Sequence, residues 1–431
     1  MVQRVERLDG LDGLGEIERA IATCNRRSSR PTPFGDPQFI RAYVANNEYF
    51  PNSSMHVRTY VVREGRVGDP CTDDAVIGYV VLRHKVDRVA GPLRGGRLEF
   101  AVTHDSDEPG VIAMAGREIE VTTAILRHLI DNERDWSMLD CFGQLEGSTL
   151  RTAAPGLASP RLRVREIAMD PFSTVHLAWP SLAEYFAALS KRMRSNVSRQ
   201  TRRLYGSGEI ELVFARGAET GSLFDAHLDL EDRSWKHRTD AALRRSCHRV
   251  AFFRTLADGN AGVEPSYVGV AHNGVLIAGL LNASFGRSTW SLDMSYDATH
   301  ADLGPGQLPL LLTIAEAIRR GDESVHFLQF FAYFKERWLA DSAPAATLQL
   351  IRRPSLWDAR AMGGEVRDRM ARRPATVEPI LAAARQAGAP VRRDDDHSRQ
   401  LLARRDRSVT MMGQCAAAEL FPFTITVPTQ Q

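Results

Sequence analysis

Cysteine is scarce and scattered in this chain of 431 residues: Cys24, Cys71, Cys141, Cys247 and Cys415, with no C-x-x-C pair. An odd, dispersed set argues against a disulfide framework and against a thiolate zinc site. No two histidines form an H-x-x-x-H pair, so no metal is expected. No apolar run approaches the roughly 20 residues needed to cross a bilayer, and no membrane span is expected. Met1 to Asp9 mixes both charge signs and has no hydrophobic segment, unlike a secretory signal; the expected location is cytoplasmic. An excess of one charge is missing too: the formal net charge is only +2, which says little about partners. Cys141 lies in an apolar, strand-like run from Trp136 to Phe142 and reads as core rather than nucleophile.

What is present is length and ordinary globular composition. With 43% hydrophobic and 25% charged residues, the chain can bury two or more cores. A first α/β unit is expected over residues 1–170. It has helices at 15–27 and Phe39 to Ala45, and strands at Met55 to Arg63, Ala75 to Leu82 and Leu98 to Val102. Helical period runs from Ile112 to Asn132, and Ser137 to Phe142 returns to strand.

A second unit is expected over residues 171–355. Ser181 precedes a helix with Glu184 at the capping-box position, and that helix should continue into the basic segment and stop at Gly206-Ser-Gly208. Strand Glu209 to Ala215 and helices Ser222 to Arg238 and Cys247 to Leu256 follow. Asn273-Gly274 between two apolar runs signals a two-residue hairpin turn. Strands are then expected at Ser288 to Tyr296 and Val325 to Phe330, a helix at Tyr333 to Ala340, and a closing strand at Thr347 to Arg352. Residues 356–431 form a helical and charged C-terminal extension ending in the apolar segment Leu420 to Val427.

The strand Ser288 to Tyr296 feeds Leu303-Gly-Pro-Gly306 and then an apolar-periodic run, which reads as strand, tight turn, helix. The first N–H groups of such a helix have no intrahelical partner and carry partial positive charge, so a phosphate is a natural occupant. The same motif is also compatible with an ordinary glycine-capped turn. Lys191 to Arg203 carries six positive charges and no negative one. It reads either as a solvated face or as a phosphate-binding surface; nucleic acid is not expected, because no second basic stripe accompanies it.

Several motifs resemble those of the GNAT acyltransferases. The segment Ser190-Lys-Arg-Met-Arg-Ser-Asn196 through Arg202-Arg203-Leu204 is similar to S-K-x-x-R-x-N-x-x-R-x-x-R-R-L of the two-lobed bacterial family related to cellulose-biosynthesis acyltransferases (CelD/BcsL-like). Leu230-Glu-Asp-Arg-Ser-Trp-Lys236, Tyr296-Asp297 with Leu303-Gly-Pro-Gly306, and Phe334-Lys335-Glu-Arg-Trp338 (for Y-K-x-x-W) follow in the family's order. Pro33 to Pro37 and Trp136 to Asp140 extend the resemblance into the first half, and a more distant one links the chain to FemABX aminoacyl transferases. Two departures stand out. Ala301 replaces the Gln or Arg that usually leads the pyrophosphate turn, and Phe330-Phe331 with Phe334 replaces polar residues.

The resemblance implies an α/β (α+β) fold of tandem GNAT-like lobes, each a mixed, mostly antiparallel sheet flanked by helices. It implies direct N-acyl transfer from acyl-CoA or an acyl carrier protein to an amine of a small molecule or peptide, with no covalent acyl-enzyme and no metal. The base would be Asp293, Glu231 or Asp297, in that order, and the acid Tyr333 or Tyr296. Ser295, Gly304, Gly306, Gln307, Arg194, Arg202 and Lys335 would hold the phosphopantetheine-linked donor. The carboxylates also have plainer readings, Asp293 as a hydrogen-bonded strand residue and Glu231 as a paired helix residue. The aromatic cluster around Phe327, Phe330, Phe331 and Trp338 is either core or an apolar channel for a longer acyl chain, each buried CH₂ adding about 0.8 kcal/mol. Rival readings are O-acylation of a sugar hydroxyl, transfer from aminoacyl-tRNA, and a non-catalytic binding module.

Overall fold

The computed structural model describes residues 2–46, 56–65, 75–102, 106–239, 241–329 and 333–371, the side chains of the last helix only as far as residue 363. They divide into two units, one running to Phe172 and resuming at Ala343, the other spanning Ser173–Ser342.

The first unit opens with β1 (Val2–Asp9), α1 (Gly10–Glu16), α2 (Glu18–Arg26) and α3 (Pro37–Ala45). Next come β2 (His56–Gly65), β3 (Val76–Ala90), β4 (Leu93–Phe100) and the short β5 (Ile112–Ala113). α4 (Glu118–Asp131), β6 (Met138–Leu145), α5 (Thr149–Ala153) and β7 (Leu162–His176) lead towards the second unit. β1 to β4 pair antiparallel in sequence order, and β6 then pairs parallel to β4 after the α4 crossover. The core lies between this sheet and α4, with Val121, Ile125, Leu126 and Leu129 at helical spacing against Tyr60, Val62, Val80 and Leu98. The helical period seen from Ile112 is therefore split. Ile112–Ala113 pairs with β3, Gly116 takes a left-handed conformation, and the helix begins only at Glu118.

The second unit contains α6 (Leu182–Ala188), α7 (Lys191–Tyr205), β8 (Ile210–Arg216), α8 (Gly221–Asp232) and α9 (Cys247–Ala257). β9 (Glu264–His272), β10 (Val275–Phe285), β11 (Ser288–Tyr296), α10 (Gln307–Arg320), β12 (Ser324–Gln329) and α11 (Tyr333–Arg337) complete it. Ser181 accepts the N–H of Glu184, as the capping box requires. The basic segment is a separate helix, however: Leu189 is extended and Ser190 caps α7 by accepting from Met193 N. Asn273 and Gly274 both have positive φ, which makes the tight β9–β10 hairpin turn. β8 to β11 pair antiparallel in order and β12 runs parallel to β11. β10 is buried along almost its whole length and reads as a continuous apolar run.

The strand expected to close the second unit joins the first instead. β13 (Asp341–Arg352) pairs antiparallel with β6, from Ala345–Leu145 to Ile351–Met138, and α12 (Leu356–Ala371) follows it. Sequence pattern identifies a strand but not the edge it will occupy. Trp357 and Ala361 of α12 pack on Val89, Met138 and Ile351. Phe330, Phe331 and the segment Leu420 to Val427 lie outside the described residues, and no helix among those described is long and apolar enough to cross a membrane.

Candidate active site

β11 and β12 are paired over only three positions, Ser288–Ser324, Thr289–Val325 and Trp290–His326. Beyond that point both strands continue, to Tyr296 and Gln329, without pairing to each other. Trp290 and His326 stack at the fork, centroids 4.7 Å apart and 7° from parallel. His326 is set by Ser324 Oγ at 2.9 Å and Thr174 Oγ1 at 3.2 Å. Leu328, just past the fork, has a φ of 56°, and Lys335 Nζ donates to the carbonyls of Leu328 and Gln329 at 3.0 and 3.2 Å. Lys335, which the resemblance placed on the phosphopantetheine-linked donor, here holds the end of β12. Past the fork, the main-chain N–H and C=O groups on that flank of β11 have no partner strand in β12.

Asp293 stands on this open strand and its side chain enters a buried cluster beneath α8. His227 Nε2 lies 2.8 Å from Oδ2 and Lys236 Nζ 2.6 Å from Oδ1. A carboxylate only accepts, so Nε2–H of His227 donates to Asp293, and Nδ1 on the far side of the ring lies 3.0 Å from Tyr267 Oη. The cluster is possible only because residue 279 is glycine: a Cβ there would fall 1.8 Å from Tyr267 Oη. Burial works against charge on Asp293, but Lys236 and His227 outweigh it and hold its pKa well below the usual carboxylate range.

Glu231 completes the cluster. It has no exposed surface. Oε2 accepts from Leu243 N at 2.7 Å, whereas Oε1 has no hydrogen-bond partner and sits 3.8 Å from Lys236 Nζ. Burial, and then the charge of Asp293, push its pKa up. Lys236 reaches back because α8 ends one turn earlier. Ser234 Oγ donates to the Glu231 carbonyl and accepts from Lys236 N, folding Trp235–Arg238 into a 3₁₀ turn.

Asp297 is differently engaged. It caps the 3₁₀ turn Ala298–Leu303, accepting from Thr299 N (2.8 Å) and Oγ1 (2.6 Å), and pairs with Arg233 Nε at 3.1 Å. Burial opposes its charge, yet hydrogen bonds from His300 and Thr299 hold its pKa down. The residue proposed third as base is the cap that presents the glycine turn.

Gly304 ends that turn in the left-handed region, φ 65°. Gly306 is the N-cap of α10, and Pro309 sits in the first turn, where its missing N–H would have no helical partner. There is no acidic residue in this first turn. The carboxamide of Gln200, from α7, covers the turn closely enough that a Cβ at Gly304 would fall 2.4 Å from its Cδ. Tyr296 lies beside Gly306, whose Cβ would meet the ring at 3.4 Å. Gln307 Oε1 and Ser295 Oγ are buried with no hydrogen-bond partner. By alternation Asp293 and Ser295 face α8, whereas Met294 and Tyr296 pack with the α10 side.

The structure therefore gathers Asp293 and Glu231 in one cluster, and Gly304, Gly306, Gln307 and Tyr296 at one turn. Arg194 stands apart, donating to the carbonyls of Ala187 (2.6 Å) and Leu189 at the end of α6. Arg202 is exposed and donates to Ser198 O at 3.3 Å. Tyr333 begins α11, but its side chain, like that of Phe334, lies outside those described. Cys141 is buried in β6, and burial with Asp140 beside it raises its thiol pKa, as suits a core residue. His227 and Tyr267 were not singled out from sequence; the available signal was His227 four residues before Glu231 on one helix face.

Residues 191–336 match the family model described as Acetyltransferase (GNAT) domain. The second unit thus carries an acyltransferase domain of the GNAT type. The match covers about a third of the chain. FemX shares the fold at 11% identity, with 77% of this chain and 95% of FemX covered and a TM-score of 0.51. A conserved protein of unknown function from Bacteroides thetaiotaomicron VPI-5482 aligns at 10% identity over 80% of this chain and 98% of its own, TM-score 0.48. A tandem GNAT protein from the clavulanic acid biosynthesis pathway aligns at 12% identity over 82% and 100%, TM-score 0.41. A search among curated proteins finds no match.

Proposed function

We propose that the second unit moves an acyl group from acyl-CoA, or from an acyl carrier protein, directly onto an amine of a small molecule or peptide. The observation that carries this reading is the parting of β11 and β12 after Trp290 and His326, beside a buried carboxylate pair and ahead of a glycine turn into a helix with no acid in its first turn. In the reaction the amine nitrogen attacks the thioester carbonyl, the C–N bond forms and the C–S bond breaks. The amine loses a proton to a base, and the departing thiolate takes one from an acid.

Main-chain groups of β11 would hold the pantetheine arm with Ser295, and Gly304, Gly306 and Gln307 would face its phosphate. Asp293 and Glu231 are the candidate bases, with Tyr333 or Tyr296 as acid. Arg194 and Arg202 lie on α7, whose own Gln200 covers the turn, which supports a phosphate-facing role for the Arg202 end of the helix, while Arg194 anchors it to α6. The kinship with the two-lobed, cellulose-biosynthesis-related family belongs to the same proposal and rests on the motifs of α7 and the segments that follow it; a cytoplasmic setting is proposed from the charged, non-secretory stretch Met1 to Asp9.

The test is to incubate the full chain with acetyl-CoA, longer acyl-CoAs and loaded carrier protein against a panel of amines, reading products by mass spectrometry. A base-stable amide is expected. A base-labile ester would move the acceptor to a hydroxyl, and ribonuclease-sensitive transfer would move the donor to aminoacyl-tRNA. No calorimetric heat with coenzyme A or with loaded carrier would overturn the reading.

A further inference from the structure

The two carboxylates beneath α8 are not equivalent. Both oxygens of Asp293 are taken, one by Lys236 and one by His227. Each Asp293 oxygen already accepts a bond that favours its charged form, so protonating Asp293 would weaken both. Glu231 has one oxygen fixed by Leu243 N–H and the other without a hydrogen bond. Lys236 lies between them but sits on Asp293, at 2.6 Å against 3.8 Å to Glu231. Attraction falls with distance, and the second contact also lacks a hydrogen bond, so Glu231 is the under-compensated member.

We propose a division of labour, resting on the acyl-transfer reading: Glu231 receives the proton leaving the amine, and Asp293 is a positioning carboxylate, locked by Lys236 and His227, whose fixed charge sets how readily Glu231 takes that proton. The ordering of the base candidates read from sequence is thereby reversed. The groups facing Glu231 are Asp293 from β11, Lys236 from the 3₁₀ turn, the Leu243 N–H, and His227 one turn earlier on α8. Burial and Asp293 favour the protonated form of Glu231; Lys236, Leu243 N–H and His227 favour the ionised one. Tyr267 Oη, 3.0 Å from Nδ1, holds the other edge of the His227 ring. During transfer the N–H bond breaks as the C–N bond forms, Glu231 becomes a neutral acid, and it returns the proton to solvent before the next turnover.

The experiment is a pH titration of the full chain labelled with ¹³C-glutamate, with Glu231 assigned by its loss in Glu231→Gln. Its midpoint is expected above the ordinary value of about 4.3. Asp293→Asn should lower that midpoint by about one pH unit, Lys236→Met should raise it, and Lys236→Arg should leave it nearly unmoved. Circular dichroism checks each fold; should Asp293→Asn not fold, Lys236→Met carries the test in the opposite direction. A midpoint in the ordinary range, or one that neither substitution moves, overturns the division of labour. Acetyl-CoA turnover with the amine panel is measured alongside: no product with normal titration shifts defeats only the transfer reading, and product without shifts defeats only this inference.

Discussion

The two units lay out their strands in one order but differ in how their crossover helices start and in how the acids on their fourth strands are paired. In each, four antiparallel strands are followed by a helix and a parallel fifth strand, with three paired positions at the parallel junction. In the first unit the crossover helix begins with Glu118 and Glu120, and Arg117 is spent on Glu64 and Glu120. In the second it begins with Gln307 after two glycines. The central-strand acid of the first unit, Glu99, is ringed by Arg83, by Lys85 at 3.0 Å and by Arg97 at 2.6 Å. Asp293 instead shares one lysine with a second carboxylate. One frame serves twice: the second copy has no acid in the first turn of its crossover helix and two carboxylates sharing one lysine, and the acyl-transfer proposal is placed there.

The sharpest way to break this comparison is to remove one acid from each unit. Glu231→Gln should lower turnover of the acylated amine by about a hundredfold or more, within the usual range for a general base. Glu99→Gln should leave turnover within about threefold while destabilising the first unit by about 3 kcal/mol, since buried cations lose their partner. Steady-state kinetics and denaturant unfolding read the two; equal losses of turnover would erase the distinction.

Next in size is the helix start. Gln307→Glu should weaken coenzyme A binding about tenfold by calorimetry, a negative charge at that position costing about 1 kcal/mol or somewhat more. Gly304→Val should weaken it at least as much, because a side chain there needs both a left-handed backbone and the space held by Gln200. The reverse substitution in the first unit, Glu118→Gln with Glu120→Gln, should create no second binding event.

A smaller effect separates the two acids of the cluster by pH. Glu231 has a raised folded pKa, so the native state holds its proton more tightly than the unfolded chain. Its stabilising share is complete below the unfolded value near 4.3 and is lost as pH rises through the folded one. Glu231→Gln, which can still accept from Leu243 N, should therefore raise Tm by about 2–4 °C at pH 8 and change little at pH 4. Asp293 has the opposite sign: its depressed pKa stabilises above about 3.9, and that share is lost on acidification. Asp293→Asn should lower Tm at pH 7. The smallest effect is expected at Arg203, whose 3.6 Å pair with Asp302 is more than half exposed on both sides; Arg203→Ala should alter stability by under about 0.5 kcal/mol.

Local signals were legible in the sequence where the physics is local. Asn273-Gly274, Ser181 with Glu184, and the Leu303-Gly-Pro-Gly306 turn each act within a few residues, and each appears where expected. β1 escaped notice because its charges alternate without a clear apolar face, and the split at Leu189 because Ser190 supplies a second cap inside a continuous helical pattern. Site residues were legible singly: Asp293 as a carboxylate on a strand, Glu231 as an acid on a helix. Their assembly was not, because His227 meets Tyr267 across 40 residues and Asp293 across 66. The glycine that admits them, Gly279, looks like any other in an apolar strand until Tyr267 is placed against it.

The return of β13 to β6 has a consequence for biosynthesis. While the ribosome makes the stretch from Phe172 to Arg352, one flank of β6 waits without the strand that will cover it. At ordinary elongation rates that wait lasts roughly ten to forty seconds. An uncovered strand flank is a template for pairing with foreign chains, so the nascent first unit spends this interval as a natural client for chaperones.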